Sequence, residues 1–180
     1  PWTSEKAQPE HVLEMRFTIR SEIQVTDASL ALEESGATTI YLNGEEVEKK
    51  DCGYFVDECI RRFPLPAIPA GTSELILKLA YSRDTNPEWC YLLGSFGVRA
   101  EGSEACLTKL PDTVAFGDYS TQGFPFYAGN MIYEAQLDAE EDGEYVIAAE
   151  KFRAPLLKVE VDGKAAGRIA LSPYQLSLGY

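Results

Sequence analysis

The strongest constraint on this chain is a period-two alternation of apolar and polar residues that recurs along it. Leu13, Met15, Phe17 and Ile19 alternate with Glu14, Arg16, Thr18 and Arg20. The pattern returns in Ala28-Leu30-Leu32, Ile40-Leu42, Leu75-Leu77-Leu79-Tyr81, Tyr133-Ala135-Leu137, Tyr145-Ile147-Ala149 and Leu157-Val159-Val161. Successive strand side chains point to opposite faces, so each segment is expected to be a strand with one apolar face. Asn43-Gly44, Ala70-Gly71, Asp142-Gly143 and Asp162-Gly163 separate these segments with residues that tolerate positive φ. No stretch of ten or more residues carries a 3.6-residue period; residues 57–63 could make a short turn of helix before Pro64 stops it, and nothing longer. Trp89 and Tyr91, beside Leu92-Leu93, are expected in the core. The fold class that follows is all-β, an antiparallel β-sandwich or jelly roll.

Two segments follow one plan. Met15-Arg16-Phe17, Ser29-Leu30-Ala31-Leu32 and Ile40-Tyr41-Leu42 run into Asn43-Gly44. Ile132-Tyr133-Glu134, Tyr145-Val146-Ile147 and Val159-Glu160-Val161 run into Asp162-Gly163. Met15 to Asn43 is 28 positions and Tyr133 to Asp162 is 29, so order and spacing repeat although identities do not. The first copy continues 37 positions from Gly44 to Tyr81, while only 17 separate Gly163 from Tyr180. By this comparison about 20 residues are absent from the second copy, which has no counterpart of the strand at 75–81. Either the second unit is cut short, the preferred reading, or it completes its sheet with strands of the first. The expected domains are 1–108, a first β-sandwich module, and 109–180, a second module incomplete at its C-terminus. The polar stretch Arg99–Glu104 and the turn-forming Leu110-Pro111-Asp112 mark the region between them.

Sixteen Lys and Arg against 29 Asp and Glu give a formal charge of −13. That field argues against nucleic acid or an anionic membrane as partner. No apolar run approaches the roughly 20 residues of a membrane-spanning helix. Cys52, Cys59, Cys90 and Cys106 are sparse for a disulfide scaffold and lack zinc-ligand spacing, so free thiols are expected, with Cys90 buried and inert. Together with a start that does not resemble a signal peptide, this favours a cytoplasmic setting and no structural metal.

The most distinctive segment is Gly123-Phe124-Pro125-Phe126-Tyr127-Ala128-Gly129-Asn130-Met131-Ile132-Tyr133. It resembles the start of the galactose-binding-like, jelly-roll sugar-binding domain of family 2 and α-L-rhamnosidase-type glycoside hydrolases. In that pattern a Gly-x-Pro-x-Tyr-x-Gly stretch leads into the first strand. A hairpin, a Gly and a Pro-Tyr pair follow, here Val161-Asp162-Gly163-Lys164, Gly167 and Pro173-Tyr174. The first half resembles a sister module through Tyr41-Leu42-Asn43-Gly44 and the segment Asn86–Gly94. Asp162 stands where the family usually has Asn, and Tyr119 where it often has Trp. The resemblance implies a non-catalytic accessory β-sandwich of a large glycoside hydrolase, a scaffold between domains with a carbohydrate contact. Its expected partners are the parent enzyme's other domains, or glycan. The alternative it leaves open is an autonomous carbohydrate-binding module.

Residue chemistry adds little in favour of an active site. Glycoside hydrolysis needs two carboxyl groups at set separations, and pairs such as Asp57/Glu58 or Glu88/Asp118 are too easily proposed among 29 acids. His11 is the sole imidazole and lies in an expected mobile terminus. The acidic run Asp138–Glu144 lacks the alternating ligand spacing of a calcium loop and is expected to be a polar hairpin loop. No catalytic residue, cofactor or metal is therefore expected. The candidate contact site is the loop 118–130, where Tyr119, Phe124, Phe126 and Tyr127 supply rings and Gln122 and Asn130 supply amides. Gly123 and Gly129 let it turn, and Pro125 stiffens it.

Overall fold

A computed structural model describes residues 8–139 and 141–179. Strand accounts for 43% of the chain and helix for 2%, so the all-β class is met. The chain divides into two compact units, one running through Met131 and one from Ile132 onward. Residues 109–131 thus group with the first unit, beyond the 108/109 boundary expected from composition.

The first unit contains β1 (His11–Ser21), β2 (Ser29–Leu32), β3 (Thr38–Leu42), β4 (Glu45–Glu46), β5 (Tyr54–Phe55), β6 (Asp57–Pro64), β7 (Gly71–Tyr81), β8 (Tyr91–Leu93), β9 (Gly97–Glu101) and β10 (Glu104–Thr108). One sheet has the order β4-β3-β7-β1-β10-β9 and the other β5-β6-β2-β8. Leu30, Leu32 and Phe63 from the four-stranded sheet join Ile40, Leu42, Leu75, Leu77 and Leu107 from the six-stranded one in a single buried cluster. Two sheets closing over one apolar layer make the unit sandwich-like. β7 is central. All eleven residues of β1 pair with it on one side, and β3 pairs on the other. Its alternating Leu75, Leu77 and Leu79 are almost fully buried.

Several expectations give way to tertiary context. The sheets are not wholly antiparallel: β1 and β10 pair in parallel at Arg20↔Cys106 and Ser21↔Leu107. The expected helical turn at 57–63 is strand β6, because its backbone pairs with β2 and inserts Phe63 into the core. Trp89 is not a core residue; it is 80% exposed, and Tyr91 is 39% exposed. His11 is not in a terminal tail but opens β1 opposite Tyr81. Cys90 is half-buried rather than fully buried, and all four cysteines are free thiols. Burial pushes the Cys90 thiol above its ordinary range.

The second unit contains β11 (Tyr145–Ala148), β12 (Leu157–Val161), β13 (Lys164–Ile169) and β14 (Gln175–Gly179). β11 pairs with β14, and β12 with β13, as two separate two-stranded ribbons. Leu176 packs where a Cβ on Gly167 would sit, 2.6 Å from it, so the glycine admits the leucine. The expected strand at Tyr133-Ala135-Leu137 does not form, and Leu137 is 85% exposed. Alternation gives a segment two faces, but a strand exists only beside another strand. Ile169 is the one buried apolar residue of this unit among the described residues.

Candidate functional site

The loop 118–130 is built outward from a few backbone anchors. Asp118 caps a three-residue 3₁₀ turn, Tyr119–Thr121: its Oδ1 accepts from the Ser120 N–H at 2.9 Å and the Ser120 hydroxyl at 2.6 Å. The backbone then reverses, with the Gln122 and Phe124 N–H groups both donating to the Tyr119 carbonyl. The Val98 N–H of β9 donates to the Gly123 carbonyl at 2.8 Å, which ties the loop to the edge of the six-stranded sheet. Gly123 lies at φ +97°, and a Cβ there would stand 2.7 Å from Cγ of Pro111. A Cβ on Gly97 would likewise stand 3.1 Å from Cδ of Pro111. Pro111 is thus seated between two glycines: a side chain at Gly123 would force it to shift, and one at Gly97 would crowd it.

The six residues read from sequence as contacts divide into three groups. Tyr119, Phe124 and Tyr127 come together: Tyr127 meets Tyr119 edge-on at 6.2 Å between centroids and Phe124 at 6.0 Å. Such tilted pairs are a favoured aromatic geometry. The Tyr127 ring lies over Gly129, where a Cβ would fall 2.7 Å from its hydroxyl, and that hydroxyl donates to the Asn130 carbonyl at 3.0 Å. Gln122 is engaged inside the loop. Its Oε1 accepts from the Ala115 N–H at 2.7 Å, and its Nε2 donates to the carbonyls of Ala115 and Asp118 at 3.2 Å each. Phe126 points outward and is 72% exposed, and Asn130 is also exposed. Phe116, 70% exposed, adds an aromatic that the sequence reading missed, as it missed Pro111 and Gly97. Pro111 shows in sequence only as part of a turn, and nothing local joins it to Gly97.

The other candidate groups each have local partners or surroundings. Asp57 accepts from the Cys59 N–H at 3.0 Å, which holds its carboxyl below the usual range. Glu88 receives the side-chain amide of Asn86. His11 borders an open hollow of about 260 Å³ with Val12, Leu13, Tyr81 and Pro87, a lining without a carboxylate or nucleophile. Within the acidic run, Glu140 lies outside the described residues, while Glu144 accepts from the Ser177 hydroxyl at 2.8 Å. Among the described residues no group of three or more His, Cys, Asp and Glu is placed to hold a metal ion. Comparison with protein-family models, curated proteins and solved structures finds no match to the chain. What the fold itself defines is an all-β, sandwich-like first unit with an aromatic loop fixed to one sheet edge.

Proposed function

We propose that this chain is a non-catalytic accessory β-sandwich region of a large glycoside hydrolase, and that its 118–130 loop docks against a neighbouring domain of that enzyme. The galactose-binding-like jelly-roll reading belongs to this proposal. It rests on the Gly123–Tyr133 segment, the Asp162-Gly163 hairpin and the Pro173-Tyr174 pair. The observation that supports docking over sugar binding is the state of Gln122. A sugar site needs amides free to meet hydroxyls, and both ends of this amide already bond loop backbone. Phe126, by contrast, offers an exposed ring on a loop already held in shape, so little entropy is lost on contact.

The test is Phe126→Ala and Tyr127→Ala, each assayed on a glycan array and by thermal melting, alone and within the parent enzyme. Docking predicts no glycan signal for the wild type, and a looser parent enzyme for Phe126→Ala with the fragment's own melting unchanged. Glycan retention by the wild type that disappears in Phe126→Ala would replace docking with the carbohydrate-binding module.

A further inference from the structure

The chain holds three asparagines, and only Asn43 is followed by glycine. In such a pair the next backbone nitrogen can attack the side-chain amide carbon, because glycine carries no Cβ to hinder the approach. Asn43 and Gly44 form the two-residue turn between β3 and β4, at φ 51° and 85°. Positive φ at both central residues is the twist-matched hairpin turn. The turn is exposed, and a methyl added to Gly44 would meet nothing within 4 Å, so water reaches it. The Asn43 amide is nevertheless clamped to β7. Its Oδ1 accepts the Glu74 N–H at 2.9 Å, and its Nδ2 donates to the Ser73 hydroxyl at 3.3 Å. The backbone N–H of Asn43 donates to the Glu74 carbonyl at 2.8 Å. Ser73 is 1% exposed, so one jaw of the clamp is a buried group. Asp162 and Gly163 make the same turn between β12 and β13, at φ 49° and 72°. Among the described residues no hydrogen bond reaches the Asp162 side chain.

We propose that Asn43-Gly44 is a site of spontaneous covalent modification gated by the fold, converting to aspartate or isoaspartate only while its side chain has let go of β7. The Gly44 nitrogen gives its proton to water and bonds to Asn43 Cγ, and Nδ2 takes up a proton and leaves as ammonia. The five-membered imide that results is then opened by one water molecule. Opening at the Cγ–N bond leaves an ordinary aspartate. Opening at the backbone C–N bond leaves isoaspartate, with the chain running on through Cγ. Ring closure needs the nitrogen and Cγ in near-attack geometry. An amide held at both ends by β7 cannot swing its Cγ onto the next nitrogen of its own turn without breaking both bonds. The conversion therefore runs through the fraction of molecules opened at the turn, and its rate reports that opening. The two products differ in consequence. Aspartate fits, because Asp162 makes this turn with a carboxylate and the Ser73 hydroxyl can donate where it had accepted. Isoaspartate adds a methylene to the backbone between Leu42 and Glu45, which pair across the turn, and so loosens β4 at the edge of the six-stranded sheet.

This modification uses no residue of the 118–130 loop, so it stands or falls apart from the docking reading. The test follows amide loss in the full chain at mildly alkaline pH by peptide mapping that separates aspartate from isoaspartate. In the wild type, Asn43 should convert about tenfold or more slowly in the folded chain than in concentrated urea, since two hydrogen bonds must break first. Ser73→Ala removes one of the two and should speed conversion of Asn43 about fivefold in the folded chain, with the urea rate unchanged. Asp162→Asn sets a second Asn-Gly pair in the same turn backbone without the clamp. In that variant the amide at position 162 should convert about tenfold faster than Asn43 of the same molecule, with amide exchange on β12 showing that the hairpin is intact. A folded rate for Asn43 equal to or above its urea rate overturns the inference, for the Glu74 N–H would then be activating Cγ rather than holding it. Equally slow conversion at positions 43 and 162 overturns it as well, because the turn backbone alone would then protect. If either variant loses its fold, the wild-type comparison of folded chain and urea decides.

Discussion

The seating of Pro111 between Gly97 and Gly123 can be taken apart by alanine, because three glycines separate the two reasons a glycine is needed. Gly71 lies at φ +106° with nothing within 4 Å of an added methyl, so Gly71→Ala meets only the backbone penalty. That penalty is about 1–2 kcal/mol for an L-residue forced left-handed. Gly97 has no positive φ, but its Cβ would stand 2.8 Å from the Lys109 carbonyl and 2.9 Å from Thr108 Oγ1, so Gly97→Ala meets only crowding. Overpacking of this kind costs about 1–3 kcal/mol. Gly123→Ala meets both, since φ is +97° and Pro111 Cγ lies 2.7 Å from the new methyl. The combined loss is about 2–5 kcal/mol. Gly36, with open space and no positive φ, serves as the baseline. Urea unfolding of the four variants should rank Gly123→Ala as the most destabilised, with Gly97→Ala and Gly71→Ala between it and Gly36→Ala. Gly123→Ala should also raise amide exchange at Val98, whose N–H bonds the Gly123 carbonyl. A Gly123→Ala variant no less stable than Gly36→Ala would refute the claim that the loop is fixed to the sheet through Pro111.

Three further outcomes are expected. Leu77, 1% exposed and paired with both Met15 and Ile40, should lose about 2–5 kcal/mol on replacement by Ala, seen in urea as a lower midpoint at unchanged slope; a smaller loss would mean β7 is not the centre of the core. Cys59 is exposed, yet the hydrogen bond its thiol donates to Asp57 first, with desolvation second, pushes that thiol up to about 11. At pH near 8 its alkylation should therefore be about tenfold slower than that of an ordinary thiol, the scarcer thiolate being partly offset by its greater nucleophilicity, and Asp57→Asn should speed it. The carboxyl of Asp51 is held below its usual range, first by the Gly53 N–H at 2.8 Å and then by Arg61. A lowered folded value means the contribution is present above the ordinary carboxylate pKa and is lost as pH falls through the folded one. Carboxyl NMR should place the Asp51 midpoint below that of an unfolded-chain Asp, and Asp51→Asn should make the acid limb of the stability curve shallower.

Much of the first unit was legible because its signals are local. Leu13, Met15 and Ile19 alternate in sequence and are half-buried in β1, and Asn43-Gly44 makes the turn its residues favour. β6 was not legible. Asp57-Glu58-Cys59-Ile60-Arg61-Arg62 suits a helical turn as well as a strand, and the decision came from pairing with β2, far away in sequence. Trp89 misled for the opposite reason: Leu92 and Leu93 are its apolar neighbours in sequence, but β8 begins only at Tyr91 and leaves the indole outside the sheet. In the loop, the rings were legible as a cluster of aromatic residues. The engagement of Gln122 with Ala115 was not, since that bond depends on a 3₁₀ turn that only Asp118 hints at.

The contrast between the units shows what alternation does and does not determine. Five of the eleven residues of β7 are buried, and four of them are Leu75, Ile76, Leu77 and Leu79. At about 1.5–3 kcal/mol for each large apolar side chain removed from water, that one strand supplies roughly 6–12 kcal/mol before the entropy of ordering it. It also supplies the antiparallel partner for the whole of β1, whose other neighbour, β10, meets it at only Arg20 and Ser21. Residues 132–138 have an alternation comparable to that of β1 but no such neighbour among the described residues, and they form no strand. Without β7, β1 would keep a strand partner only at Arg20 and Ser21. A period-two pattern marks a segment able to line a sheet face; the strand beside it decides whether that face is ever made.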